Sequence, residues 1–95
     1  MSEVRLGFVG IVIEQRCQAE KVNHILSQYG ALIRGRIGVP DQQSGIGVIG
    51  LIVEGSNDQL GAMTGKLGNV QGVTVKSALT GKTTAKTTDE GEKRT

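Results

Sequence analysis

The nine residues Leu6-Gly-Phe-Val-Gly-Ile-Val-Ile-Glu14 recur forty positions later as Ile46-Gly-Val-Ile-Gly-Leu-Ile-Val-Glu54. Gly7 matches Gly47, Gly10 matches Gly50, Glu14 matches Glu54, and every other position is apolar in both copies. Each run is too short to cross a bilayer as a helix and is rich in β-branched residues, so each reads as a buried strand. A half-buried strand alternates apolar and polar residues. These runs are apolar at both parities, so each strand must be covered on both faces.

The remaining elements arrange themselves around this pair. The first copy predicts a strand over residues 4–14. Cys17 and Glu20 then stand at capping-box spacing, and Ala19, Val22, Ile25, Leu26 and Tyr29 recur at helical spacing up to Gly30, a natural helix terminator. Residues 31–39 predict a second strand, with Arg34 and Arg36 on one face and Ile33 and Ile37 on the other, as on a partly exposed edge. Residues 40–45 form a polar turn before the second copy. Ser56 or Asn57 caps a second helix with Leu60, Met63, Thr64 and Leu67 as its core stripe and Gly61, Gly65 and Gly68 beside it. A helical glycine costs about 0.5–1 kcal/mol against alanine, so this second stripe predicts a surface that another backbone approaches. A last strand covers 70–79, with Val73 and Val75 on one face and Thr74, Lys76 and Ala78 on the other.

The order βαββαβ predicts an α+β, ferredoxin-like sandwich: a four-stranded antiparallel sheet in the order 4-1-3-2 with both helices on one face. The two copies of the repeat are expected at its centre as neighbours, parallel to one another. Residues 1–79 make one small domain, and 80–95, polar and aperiodic, a disordered tail. Nothing in the chain is left to cover the second sheet face, so another subunit is expected there. Small domains bury only roughly 60% of their unfolded surface, and assembly compensates for this.

Composition narrows the functions. The net charge is +2, or +1 without the tail (seven Lys/Arg against six Asp/Glu before Thr80), and there is one Tyr and one Phe. That is neither the electrostatic footprint nor the stacking platform of a nucleic-acid-binding protein, so direct DNA binding is not expected. A single cysteine excludes an internal disulfide and points to a reduced, cytoplasmic setting; no signal-peptide pattern or membrane span is read.

Three groupings could carry chemistry. Gly81-Lys82-Thr83-Thr84 resembles the end of a phosphate-binding loop, but the glycine needed five residues before Gly81 is Lys76, and no helix follows. Cys17, Glu20 and His24 share the outward side of the first helix and could bind a soft metal, though an ordinary helix face would look the same. Arg34, Arg36 and Lys76 are the basic side chains of the outer strands. Arg36 and Lys76 are equivalent in the repeat, on edges roughly 14 Å apart, so they could meet on one anion only between subunits. Charged edges also guard against edge-to-edge aggregation. No nucleophile–base set or carboxylate pair is present, so the chain is read as non-enzymatic.

Several segments in order, Gly35-Arg-Ile-Gly-Val-Pro40, Asn57-Asp58, Thr64-Gly-Lys-Leu-Gly68 and Gly72-Val-Thr-Val-Lys-Ser-Ala78, resemble the family of iron-only ([FeFe]) hydrogenase system regulators. The likeness spans about residues 4–79. It implies an ACT-like domain, similar to the C-terminal domain of nickel-responsive repressors, and an oligomer. Those repressors use several His and a Cys for their metal and carry a ribbon-helix-helix segment; this chain has one His, one Cys and no residues for such a segment. The expectation is an oligomeric regulatory module, dimer or tetramer through the helix-free sheet face, that senses a small effector between subunits and acts on a partner protein. The alternative is a metal-binding or assembly accessory protein for hydrogenase maturation using Cys17 and His24.

Overall fold

The computed structural model describes residues 4–41 and 45–80. The elements are β1 (Arg5–Ile13), α1 (Ala19–Gln28), β2 (Ile33–Asp41), β3 (Ile46–Gly55), α2 (Asn57–Gly68) and β4 (Val73–Leu79), with 3₁₀ turns at Arg16–Gln18 and Gly30–Leu32. The expected tail, from residue 81 on, and residues 42–44 of the expected turn lie outside the described residues.

The sheet order is β2-β3-β1-β4, and every neighbouring pair is antiparallel. The two copies of the repeat are adjacent and central, as their apolar character requires. They are not parallel, which corrects the expectation. The helical crossover from β1 makes β2 its parallel counterpart; the hairpin then reverses the chain, so β3 runs against β1. Gly10 consequently pairs with Gly50, its own equivalent in the repeat.

Odd-numbered residues of β1 and β3 face the helices. Val9, Ile11, Leu51 and Val53 are fully buried there, against Val22 and Leu26 of α1 and Leu60, Met63 and Leu67 of α2. Burying such a side chain contributes about 1.5–3 kcal/mol, so this single layer holds the fold together. The expected core stripes of both helices are therefore observed.

The helix starts differ. Ser56 caps α2 in a full capping box: Gln59 N–H donates to Ser56 Oγ at 3.1 Å, and Ser56 N–H donates to Gln59 Oε1 at 3.0 Å. Cys17 caps nothing. It lies within the 3₁₀ turn, and α1 begins at Ala19 after Gln18 with no side-chain cap, because the preceding turn already occupies the first donors.

A β-bulge distinguishes the two halves. Ile33 pairs with Val53, but the next pair is Gly35 with Ile52, leaving Arg34 as the extra residue. One extra residue inverts the side-chain alternation beyond it. Ile33 therefore packs against the core, whereas Ile37, opposite Gly50, is 70% exposed on the other face. The expectation that Ile33 and Ile37 share a face fails for this reason.

Candidate functional site

The even-numbered positions of the central strands face away from both helices. Leu6, Phe8, Ile37, Val39, Val48 and Ile52 all lie on this face, each at least 38% exposed. A row of large apolar side chains on one surface marks an interaction site. Between them is a shallow groove of about 350 Å³, walled by Phe8, Ile37, Val39 and Val48 and floored by Gly10 and Gly50.

The glycines shape this floor. A Cβ on Gly50 would lie 3.0 Å from Phe8 Cε1 and 3.1 Å from Cζ, and one on Gly10 would lie 3.4 Å from Phe8 Cε2. The Phe8 ring thus lies across both glycines and shields backbone that no side chain of their own could cover. The close approach expected at these glycines is made by this ring, a residue of the same strand. The α2 glycines are different: nothing in the described chain comes within 4 Å of a Cβ at Gly61, Gly65 or Gly68.

The basic residues separate. Arg34 Nη1 pairs with Glu54 Oε1 at 3.0 Å on the helix-free side. Arg36 lies opposite Leu51, so it points to the helix side, where its guanidinium donates to Asn23 Oδ1 of α1. Lys76 lies opposite Gly10 and borders the groove on the helix-free face. The bulge is the cause. Continuing the Ile33–Val53 register would have set Arg36 opposite Gly50, the symmetric counterpart of Lys76 opposite Gly10. Of the three expected anion ligands, Lys76 alone lines the groove.

Cys17, Glu20 and His24 are all exposed, Cys17 in the turn before α1 and the other two on the helix. Among the described residues no three His, Cys, Asp or Glu side chains are grouped closely enough to hold a metal ion. The His24 carbonyl accepts a hydrogen bond from Ser27 Oγ at 2.7 Å, an ordinary helix contact. The sequence signal for the groove was the double-parity apolar character of the repeat. The contributions of Ile37 and of the Phe8 ring had no such signal, because one depends on the bulge and the other on cross-strand register.

The fold and this face can be set beside known proteins. The family model of the TM1266-like proteins, described as "Iron-only hydrogenase system regulator, putative", matches residues 5–77. The chain belongs to this family. Among solved structures, the uncharacterized protein TM1266 from Thermotoga maritima is 36% identical, with a TM-score of 0.76 over 81% of this chain and 98% of that one. The ACT domain of GTP pyrophosphokinase from Chlorobium tepidum is 28% identical, with a TM-score of 0.64 over 77% of this chain and 96% of that one. A PII-like signaling protein from Thermus thermophilus shares the fold at 18% identity and a TM-score of 0.53, over 84% of this chain and 92% of that one. No curated protein matches the sequence. The family and its ACT-like fold agree with the resemblance read from the sequence, and no helix among the described residues is long and apolar enough to cross a membrane.

Proposed function

We propose that this chain is a non-enzymatic regulatory module of the hydrogenase system that works as a homo-oligomer joined through the helix-free sheet face. The observation that carries the reading is the set of six large apolar side chains exposed on that face. Four strands at about 4.8 Å spacing and nine residues long give a face of roughly 600 Å² in projection. That approaches the ~800 Å² each partner contributes to a stable pair. A second copy is the fitting occupant: the face is apolar and nearly uncharged, so it complements itself, and a small domain gains the core layer it lacks. A small anionic effector then binds at the subunit boundary, where Lys76 borders the groove, and shifts how copies or a partner protein associate.

Sedimentation velocity tests the first step. The wild-type chain is expected to sediment as a dimer or tetramer at micromolar concentration, and Ile37→Lys as a monomer with an unchanged circular dichroism spectrum. Ile37 is 70% exposed, so a lysine there does not disturb the core. A folded wild-type monomer would sink the reading. Native mass spectrometry of the freshly purified protein separates it from the accessory-protein alternative: an organic ligand supports regulation by an effector, and a bound metal lost in Cys17→Ser or His24→Ala supports the alternative.

A further inference from the structure

The helix layer holds a second concavity, separate from the sheet face. Where the start of α1 meets the end of α2, a cleft of about 480 Å³ opens with Lys21 and Ile25 on one wall and Lys66, Asn69 and Val70 on the other. Both lysines are exposed, and neither has an ion-pair partner among the described residues. Lys66 Nζ stands 5.6 Å from the centroid of the Tyr29 ring, which positions the ammonium without neutralising it. Two like charges on one cleft repel each other and raise its potential, and an anion between them relieves both effects.

The rest of the cleft is built for more than a bare ion. Gln18 Nε2 donates to the Gln71 carbonyl oxygen at 3.0 Å, tying the turn before α1 to the loop before β4. This bond holds the two walls together before any ligand arrives, which lowers the ordering cost of binding. The Asn69 amide is exposed at the rim and able to donate. Ile25 is half-buried and Val70 buried, so an apolar patch adjoins the charges. An apolar wall with a few converging polar groups is the usual make-up of a small-molecule site.

We propose that this cleft binds a small organic anion, its phosphate or carboxylate group between Lys21 and Lys66 and its apolar part against Ile25 and Val70. The site lies within one chain, so it does not depend on the assembly described above, and either can fail without the other.

The test is an NMR titration of the isotope-labelled full chain with inorganic phosphate and, separately, with butyrate, at an ionic strength held constant with sodium chloride. Saturable shifts are expected at the backbone amides of Lys21, Lys66 and Asn69, and butyrate is expected also to move the Ile25 and Val70 methyl signals. Tighter phosphate binding identifies a phosphorylated ligand, and tighter butyrate binding a carboxylic acid. Lys21→Gln and Lys66→Gln are each expected to weaken binding about tenfold, the loss of one charge-assisted hydrogen bond. Lys76→Gln, on the sheet face, should leave it unchanged. Shifts that stay linear and match those of chloride would overturn the proposal, as would unaltered affinity in the double variant of Lys21 and Lys66. Both lysines are exposed helix positions, so their replacement by glutamine keeps the fold.

Discussion

Gly10 and Gly50 pair directly across the β1–β3 ladder, and they are also one another's equivalents in the internal repeat. The local twofold relation between the halves therefore passes between two residues that have no side chains. Phe8 breaks that symmetry. Its ring covers both glycines, whereas the equivalent position in β3 is Val48, too small to do the same.

Phe8 should accordingly matter more to association than to folding. It is 46% exposed in the single chain, so it is only partly used by the core. Phe8→Ala is expected to weaken self-association at least about tenfold, as the loss of a central aromatic contact does. Far-UV circular dichroism should remain that of the folded chain. Sedimentation equilibrium over a concentration series measures the effect; an unchanged association constant would place the contact elsewhere.

The α2 glycines offer the opposite kind of change. Gly61 and Gly65 are exposed, with no neighbour where a Cβ would go. Replacing each by alanine removes backbone freedom from the unfolded chain and should add about 0.5–1 kcal/mol of stability. Thermal unfolding should rise by about 4–8 °C for each kcal/mol gained. A lowered melting temperature, or loss of assembly, would instead show that another backbone lies against this side of α2.

Gly72 is constrained where those glycines are not. Its φ is +79°, a conformation L side chains rarely adopt, and a Cβ there would lie 2.8 Å from Gln15 Cγ and Cδ. Its carbonyl also accepts from the Glu14 N–H at 2.7 Å, so the turn cannot easily relax. Gly72→Ala is expected to destabilise the chain by about 1–2 kcal/mol from backbone strain alone. Urea denaturation reads the loss; a midpoint equal to wild type would mean that the loop rearranges freely.

Ser56→Ala removes one half of the capping box on α2 and should cost about 1 kcal/mol. Leu51→Ala, in the fully buried centre of β3, should cost about 2–5 kcal/mol and leave little folded protein at room temperature. Chemical denaturation of the two variants side by side checks the contrast. Equal losses would contradict the placement of Leu51 at the centre of the core.

The groove was half legible in the residues. Apolar character at both parities of Leu6–Glu14 and Ile46–Glu54 requires two covered faces, and the helices account for one. Arg34, Arg36 and Lys76 were legible as outer-strand cations, but their faces were not. Alternation predicts a face only while the register is unbroken, and the bulge at Arg34 is a pairing decision between β2 and β3. In the same way, the spacing of Cys17 and Glu20 suggested a cap that the 3₁₀ turn pre-empts.

By itself the sequence determined the element order, the two central strands and the family, because these rest on apolar periodicity and on residues read along the chain. Tertiary structure alone decided that β3 runs against β1, that Arg36 turns to the helices while Lys76 stays with the groove, and that Phe8 lies over Gly10 and Gly50. The physical reason is the same in each case. Direction, face and cross-strand contact depend on which residues pair between distant strands, and a one-residue shift in that pairing exchanges the two sides of the sheet.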